Sequence, residues 1–314
     1  MTTDLSWIES ARSRLLSLRQ GDGAWSYRAG PPSAVEPSAL ASLALLAAAS
    51  SEARTIALRA GHWIAREARR PDGSTAVTSA SDFEADSAGW TTPFALSLWN
   101  ALGGFEPERR SATAWLLAAK GKADKPAPNN PIGHDVTLVG WPWVEGTHSW
   151  VEPTAISLLA LAPSVPSSHP RMVEGVRVLL DRAISTGGWN LGNPVVFGQT
   201  LRPLPGPTGL ALLALNRAAR ESPPRSIIEP AIAYLAGVVE QTFAPTSLGW
   251  ATLGLRAWGV RPSSAAQDRL AAATDRAVAR NASASELAML LLAVGDRSLQ
   301  VLGITPLVES EATR

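Results

Sequence analysis

The fold is decided by a stretch that begins at Glu152 and reads EPTAISLLAL up to Leu161. Its apolar residues continue around every side of a helix, which predicts a helix that is buried on all sides. A proline near the start fits the first helical turn, where its missing N–H has no partner to lose. The pattern has five further copies, which read EPSALASLAL from Glu36, TPFALSLWNAL from Thr92, GPTGLALLAL from Gly206, TSLGWATLGL from Thr246 and SELAMLLLAV from Ser285.

Six segments of a different kind alternate with these copies. Charged residues alternate with Leu, Val and Ala at helical spacing in residues 5–18, 52–69, 107–120, 171–184, 226–242 and 263–280. This spacing predicts amphipathic helices that are half exposed. Six buried helices inside six amphipathic ones predict an all-α (α/α)6 toroid, with the N-termini of the inner helices at one end. An open solenoid of helix pairs is the alternative.

The toroid is expected to be one domain over residues 1–303, followed by a short polar C-terminal tail over residues 304–314. The N-terminus has no basic region followed by an apolar run, so no signal peptide is expected. The apolar runs are shorter than the about 20 residues that span a bilayer. These features predict a cytoplasmic protein, and they leave peripheral membrane contact and a partner protein open.

The turns that feed the inner helices share a glycine, and two of the three also carry a tryptophan, which the turn from Arg70 lacks. They read RQGDGAW from Arg19, RPDGS from Arg70 and STGGWN from Ser185. These turns resemble the Gln-Gly-Trp (QW) repeats of squalene-hopene cyclases and related triterpene cyclases. Gln20 and Trp25 match best, while Trp189 lacks its glutamine. The resemblance extends over nearly the whole chain and implies a single toroid of the terpene-cyclase and prenyltransferase type.

Class II terpene cyclases carry an Asp-x-Asp-Asp-Thr-Ala motif, whose middle aspartic acid protonates an alkene or epoxide. The most similar segment here runs from Trp150 to Ala155, and the resemblance places Glu152 at the proton donor. Trp150 and Pro153 stand where the family has its two flanking aspartates. A lone glutamate at a helix N-terminus is expected to be biased towards ionisation, which makes it a poor acid.

The segment before Glu152 is rich in aromatic and titratable residues. It contains Trp141, Trp143, Glu145, His148 and Trp150. If this segment covers the cavity, Glu145, His148 and Glu152 form one polar cluster beneath tryptophan faces that stabilise carbocations. Asp86, in an acidic run before the second inner helix, is a further candidate catalytic residue. Trp90 follows it and is expected to contact substrate.

Structural interpretations of the same residues remain open. Glu36 occupies the same repeat position as Glu152, and a catalytic acid need not occur twice. We include Glu36 among the expected substrate-binding residues, although a helix-start role fits it as well. The acidic run that ends at Asp86 is also explained as a solvated loop. Tryptophan burial alone stabilises a fold by several kcal/mol, so Trp25, Trp63 and Trp189 are expected to be packing residues.

Composition excludes several kinds of site. The chain has no cysteine, so the zinc site of protein prenyltransferases cannot form in its usual way. The spacing of His134, Asp135 and His148 fits no known metal site, and neither a metal nor another cofactor is expected. No phosphate loop, dinucleotide motif or nucleophile elbow is present. A formal net charge of +1 gives no indication of nucleic-acid binding.

Together these features predict an isoprenoid-handling enzyme of the isomerase or transferase type. A polyprenyl or triterpenoid substrate is expected in an apolar central cavity, with Glu152 as acid or base, assisted by His148 and Asp86. One alternative is a non-catalytic toroid that binds a lipid or a protein. The other is a carbohydrate-active (α/α)6 enzyme, which needs two carboxylates about 5–10 Å apart. Glu145 with Asp86, or Glu152 with Asp86, are the candidate pairs.

Overall fold

The structure is a computed structural model, and it describes residues 6–28, 30, 32–48, 50–78, 89–126, 131–219 and 221–306. Within these ranges the chain forms thirteen α-helices and one two-stranded hairpin. In chain order the helices are α1 (Ser6–Ser17), α2 (Val35–Ala47), α3 (Ser51–Trp63), α4 (Thr92–Leu102), α5 (Glu106–Ala118), α6 (Val151–Leu161), α7 (Pro170–Asp181), α8 (Pro205–Ala218), α9 (Arg225–Val238), α10 (Pro245–Ala257), α11 (Ser264–Ala279), α12 (Ala284–Val294) and α13 (Ser298–Val301).

Short irregular elements extend this set. A π-helical turn at Ile64–Ala68 continues α3, and a 3-10 turn at Val239–Gln241 continues α9. The hairpin pairs β1 (Val195–Val196) with β2 (Gln199–Thr200) in antiparallel fashion. None of the helices in the described part of the chain is long and apolar enough to cross a membrane.

The even-numbered helices from α2 to α12 form a closed inner ring. Each contacts the next along the chain, and α12 contacts α2. The helices α3, α5, α7, α9 and α11 each pack against the two inner helices that flank them in sequence, while α1 packs on α11 and α12. This arrangement confirms the predicted (α/α)6 toroid, because an open solenoid leaves its first and last inner helices apart.

The two rings differ in burial as their sequences predict. In α8 every residue from Gly206 to Leu215 is buried, because neighbours surround this helix on all sides. In α3, by contrast, Ile56 and Ala60 are buried while Glu52 and Arg59 are exposed. The outer helices therefore bury one stripe and cover the apolar inner ring.

The inner ring is tightest between α8 and α10. A Cβ atom added to Gly209 would lie 2.2 Å from the carbonyl oxygen of Trp250, so only glycine allows the two backbones to approach this closely. The other end of the chain adds α13, which contacts α2, α10 and α12. Its Leu299 is 6% exposed. The sequence pattern does not predict this helix, because four residues are too few to show a helical period.

Candidate functional site

A repeated junction holds the turn before an inner helix against the rest of the ring. The indole N–H of Trp25 donates to the carbonyl of Leu15 at 2.8 Å, and Trp189 donates to Leu179 at 2.6 Å. Trp141 makes the same contact, because its Nε1 donates to the carbonyl of Leu116 at 2.8 Å. Each acceptor lies near the end of the preceding outer helix, so these tryptophans connect the outer ring to the inner one.

A hydroxyl on the next inner helix completes the junction. The backbone N–H of Trp25 donates to Ser38 at 2.9 Å, that of Thr75 to Thr92 at 3.0 Å, that of Trp141 to Thr154 at 3.0 Å and that of Trp189 to Thr208 at 2.9 Å. Ser38, Thr92, Thr154 and Thr208 are therefore equivalent positions in four repeats.

This equivalence corrects the alignment of the second repeat. The sequence pattern aligns Thr92 with Glu36, because a proline follows both residues. The hydroxyl contacts instead place Thr92 opposite Ser38, which moves the second repeat by two residues. Trp90 therefore stands where Glu36 and Glu152 stand in the first and third repeats. We call these three residues, Glu36, Trp90 and Glu152, the rim.

The two rim glutamates lie in the first turn of their helices. Each is the second helical residue rather than the N-cap, which is Ala34 in α2 and Trp150 in α6. Neither N-cap side chain accepts a hydrogen bond, although each helix is tied to the loop of the following repeat. The N–H of Val35 donates to Val77, and the N–H of Val151 donates to Leu191, both at 3.0 Å.

The environment of the rim favours protonated carboxyl groups. Burial raises the pKa of Glu152. Burial also raises the pKa of Glu36, although the hydroxyl of Tyr27 beside it opposes the rise. The helix N-terminus alone would lower both pKa values and favour the ionised state. Burial raises them instead, because the free-energy cost of removing a carboxylate from water exceeds the stabilisation that a helix N-terminus gives to its charge. In the described ranges no hydrogen bond or ion pair involves the Glu152 carboxyl.

Two cavities border α4 and α6 at different heights. One, of about 270 Å³, lies beside the rim, and its walls include Trp90, Trp115, Trp141, Glu145 and Pro153. We call this cavity the aromatic pocket. The other, of about 260 Å³, lies at the opposite end, between Ser97 and Leu159 and the segment around α13.

The residues one helical turn below the rim, on α2, α4 and α6, are buried. Leu40 is 2% exposed, Phe94 7% and Ile156 6%. Bulky apolar side chains therefore follow the rim on all three helices. Glu152 does not itself line the aromatic pocket, but the next residue, Pro153, does.

Trp90 joins the rim to the loop before α6. Its ring lies edge-on to Trp143, with 5.5 Å between centroids, and edge-on to Phe94 at 6.1 Å. The loop, residues 140–150, folds back on itself, since the N–H of Trp150 donates to the carbonyl of Trp141 at 3.1 Å. Trp90 and Trp143 are half-buried, so they combine packing with access to solvent. Trp150, also half-buried, stands at the start of α6.

His148 does not join Glu152 as the sequence analysis expected. Its Nε2 lies 2.8 Å from Oδ2 of Asp124, and both side chains are about half exposed. The hydrogen bond from His148 lowers the pKa of Asp124. Among the residues with described positions, no hydrogen bond connects Glu145, His148 and Glu152. The long segment between α5 and α6 supplies Asp124 as a nearer partner, which the sequence alone did not reveal.

Other candidate residues fall elsewhere. Asp86 and the acidic run around it lie outside the described residues. His134 is partly buried, and burial next to Arg182 lowers its pKa to about 4. Within the described ranges no group of three or more His, Asp or Glu side chains is arranged to hold a metal ion. Trp25, Trp63 and Trp189 are fully buried, which confirms their predicted packing role.

The buried Arg171 stabilises one wall of the aromatic pocket. Its guanidinium carbon lies 4.2 Å from the centroid of the Trp141 ring. The same group donates to the carbonyls of Val139 at 2.8 Å, Ala119 at 2.9 Å and Gly140 at 3.2 Å. It therefore holds the residue that follows α5, Ala119, together with Val139 and Gly140 beside Trp141. Sequence reasoning missed Arg171, because its partners are carbonyl groups far away in the chain.

No protein-family model and no curated protein matches this chain. Solved structures do match it. The type II terpene cyclase MstE from Scytonema, in complex with the substrate geranylgeranyl dihydroxybenzoate, has a TM-score of 0.56 and 17% identity, over 87% of this chain and 77% of that one. A protein from Actinoplanes has a TM-score of 0.57 and 20% identity, over 88% and 80% of the two chains.

A glycoside hydrolase matches as well. The family 76 mannosidase Bt3792 from Bacteroides thetaiotaomicron has a TM-score of 0.53 and 10% identity, over 95% of this chain and 97% of that chain. Identities this low show a common fold and not a common activity. The chain therefore has a terpene-cyclase-like toroid fold, and this architecture also occurs in a carbohydrate-active enzyme.

Proposed function

We propose that this toroid is an isoprenoid-handling enzyme in which Glu152 acts as general acid towards a prenyl alkene. One observation carries the proposal. The carboxyl of Glu152 is half-buried, has no hydrogen bond in the described ranges and directly precedes Pro153, which lines the aromatic pocket. An acid that must donate its proton to carbon benefits from having no competing acceptor nearby.

The chemistry follows from the residues around Glu152. Burial raises the pKa of its carboxyl, which keeps more of the group protonated near neutral pH. The proton passes to one alkene carbon, and the π electrons form the new C–H bond, so the other carbon becomes a cation. The face of Trp90, a residue of the pocket wall that lies edge-on to Trp143, stabilises this charge. Attack by a second alkene and return of a proton to the carboxylate yield an isomer of the substrate, so the step needs no cofactor.

The size of the pocket limits the substrate. Its volume of about 270 Å³ lies just below the about 300–1,000 Å³ typical of small-molecule sites. We therefore infer a short prenyl group, or one end of a longer isoprenoid whose remainder lies outside. MstE was solved with a prenylated aromatic acid, so prenylated aromatic acids belong in the first substrate panel.

Other predicted residues have supporting roles in this proposal. Trp141 and Glu145 belong to the pocket wall, and Trp150 stands at the start of the helix that carries the acid. Glu36 is the matching carboxyl of the first repeat. Asp86 stays a candidate assistant to Glu152. Cytoplasmic location and contact with a membrane surface remain part of the proposal.

The proposal is tested by product analysis. Purified protein is incubated with linear prenyl alcohols, prenyl diphosphates and prenylated aromatic acids, and the extracts are analysed by mass spectrometry coupled to chromatography. The expected result is a product of unchanged mass and altered retention, which disappears in Glu152→Gln and persists in Glu36→Gln. Turnover that survives in Glu152→Gln would overturn the assignment of the acid.

A second candidate is a non-catalytic lipid-binding toroid. Glu36 favours it, because a second half-buried glutamate in the same repeat position indicates a structural role for both residues. In that case an isoprenoid copurifies with the protein, and no substrate is converted. Mass spectrometry of the organic extract from natively purified protein detects such a ligand directly.

The third candidate, a carbohydrate-active enzyme, is supported by the fold similarity to the family 76 mannosidase. It requires a carboxylate pair, and both predicted pairs include Asp86. Adding mannose-containing oligosaccharides to the substrate panel separates this candidate from the others, since hydrolysis releases a reducing sugar.

A further inference from the structure

A groove on the outer ring gathers positive charge. It lies between the turn that follows α1 and the last turns of α3, and it has a volume of about 540 Å³. Its walls include Arg19, Asp22, Arg59, His62 and Arg66. No part of the proposed isoprenoid chemistry uses these residues, so the groove needs an explanation of its own.

Helical spacing places three of these residues together. Arg59, His62 and Arg66 are separated by three and four positions, which puts them on one face of α3 and its continuation. The continuation is π-helical, since the N–H of Arg69 donates to the carbonyl of Ile64 at 3.0 Å. A π turn inserts an extra residue into a helix, and such turns occur frequently at functional sites. Here the turn carries Arg66 to the groove.

The arginines of the groove lack acidic partners among the residues that the structure describes. In the described part of the chain none of Arg19, Arg59 and Arg66 forms an ion pair, and Nη1 of Arg19 is enclosed without a hydrogen bond. Asp22 is the carboxylate in the wall. Its Oδ1 already accepts the N–H of Ala24 at 3.1 Å and the hydroxyl of Ser33 at 3.0 Å. The groove thus contains three guanidinium groups and one carboxylate, and one oxygen of that carboxylate already accepts two hydrogen bonds.

We propose that this groove binds a phosphate-bearing anion, with Arg19, Arg59 and Arg66 donating to its oxygens. A guanidinium group donates two parallel N–H bonds to two phosphate oxygens. Three such groups need more acceptor oxygens than the two of a carboxylate. Neutralising them also relieves their mutual repulsion. A soluble diphosphate and the head group of an anionic phospholipid share this chemistry, and they are separated by experiment.

The first measurement is isothermal titration calorimetry of the full chain with inorganic pyrophosphate at constant ionic strength. Arg59→Gln and Arg66→Gln each change an exposed residue of an outer helix, so both variants are expected to fold. We expect each to weaken binding about tenfold, or about 1.4 kcal/mol, as for the loss of a charge-assisted hydrogen bond. The triple variant with Arg19→Gln is expected to lose binding.

A matched control removes the same charge elsewhere. Arg110, Arg202 and Arg261 are exposed and line no part of the groove, and their triple glutamine variant should bind pyrophosphate like the unchanged protein. Thermal unfolding of both triple variants verifies that they are folded. Equal loss of binding in the control would overturn the proposal, because it would mean attraction to net charge alone.

Vesicle sedimentation separates the two sources of phosphate. Phosphatidylcholine vesicles with and without phosphatidylglycerol are incubated with the protein and with both triple variants. Binding to pyrophosphate alone assigns the groove to a soluble phosphate compound. Binding to phosphatidylglycerol vesicles that requires the groove arginines assigns it to a lipid head group. Binding to neither probe overturns the proposal.

Discussion

Trp90 and Glu152 occupy the same position in consecutive repeats. Each lies two residues before the hydroxyl, of Thr92 or Thr154, that accepts an N–H from the preceding turn. Glu36 holds this position in the first repeat and Gly206 in the fourth. The toroid thus presents a carboxyl, an indole and a second carboxyl on three neighbouring helices. A repeat that is structurally regular carries different chemistry at one position.

The Glu152→Gln variant should reveal the buried carboxyl through the pH dependence of stability. Burial raises the pKa of Glu152 above its ordinary value of 4.5, so the folded protein holds this proton more tightly than the unfolded chain does. Stability from this group is complete below pH 4.5 and is lost as pH rises through the folded pKa. The variant should match the unchanged protein at low pH and exceed it at pH 7, as measured by urea unfolding.

Glu286→Gln provides a control of opposite sign. Burial by itself would raise the pKa of Glu286, but hydrogen bonds from Arg280 and Ser283 outweigh it and lower this pKa. Its stabilising contribution is therefore present at pH 7 and is lost on acidification, so Glu286→Gln should be the less stable protein at neutral pH. The same direction for both variants would contradict the opposite shifts.

Thr154→Val should destabilise the fold, although Thr154 itself lines no part of the aromatic pocket. The change leaves the N–H of Trp141 buried without its acceptor, which costs about 1–3 kcal/mol. Thr246→Val, at an exposed position in the first turn of α10, should stay within about 0.5 kcal/mol. Chemical denaturation measures both, and equal free energies of unfolding would contradict the role of the hydroxyl.

Gly209→Ala should separate α8 from α10. The new methyl group would meet the carbonyl oxygen of Trp250, which is backbone and cannot move without displacing a helix. We expect a loss of about 3 kcal/mol, at the upper end for overpacking. Gly237→Ala in α9 is the control, because no atom lies within 4 Å of its added Cβ. That variant should gain about 0.5–1 kcal/mol from helix propensity, and thermal unfolding distinguishes the two.

Trp90→Ala should weaken ligand binding more than it weakens the fold. The indole forms part of the pocket wall and pairs edge-on with Trp143, a contact worth about 0.5–1.5 kcal/mol. The amount of isoprenoid retained by the purified variant is measured by mass spectrometry. Trp7→Ala, on the outer helix α1, is the comparison and should retain the ligand. Loss of ligand from both variants would indicate general destabilisation.

The architecture was predictable from sequence because it depends on patterns that repeat. Apolar runs and amphipathic segments of ten or more residues show their period clearly, and closure followed from six matched copies. The register of the second copy was not predictable from prolines, because Pro93 follows the junction hydroxyl of Thr92 whereas Pro37 precedes that of Ser38. Only the hydrogen bonds reveal which residues are equivalent.

The candidate site was predictable only in part. Glu152 and the tryptophans before it stand out by composition, and Trp90, Trp141 and Glu145 do meet in one pocket wall. The partner of His148 was not predictable, because Asp124 reaches it through an irregular segment without a period. The raised pKa of Glu152 was not predictable either, because it depends on burial by residues that are distant in the chain.

The contact between α12 and α2 affects how the chain can be made. During synthesis α2 is the first inner helix to leave the ribosome, and its second inner neighbour, α12, follows only after the four inner helices between them. Until then the growing protein is an open arc with an apolar flank at each end, and contacts between distant residues form slowly. Two incomplete chains each expose the apolar flanks that α2 and α12 bury against each other in the closed ring. The contact between α12 and α2 is therefore the place where two copies of this protein would exchange helices.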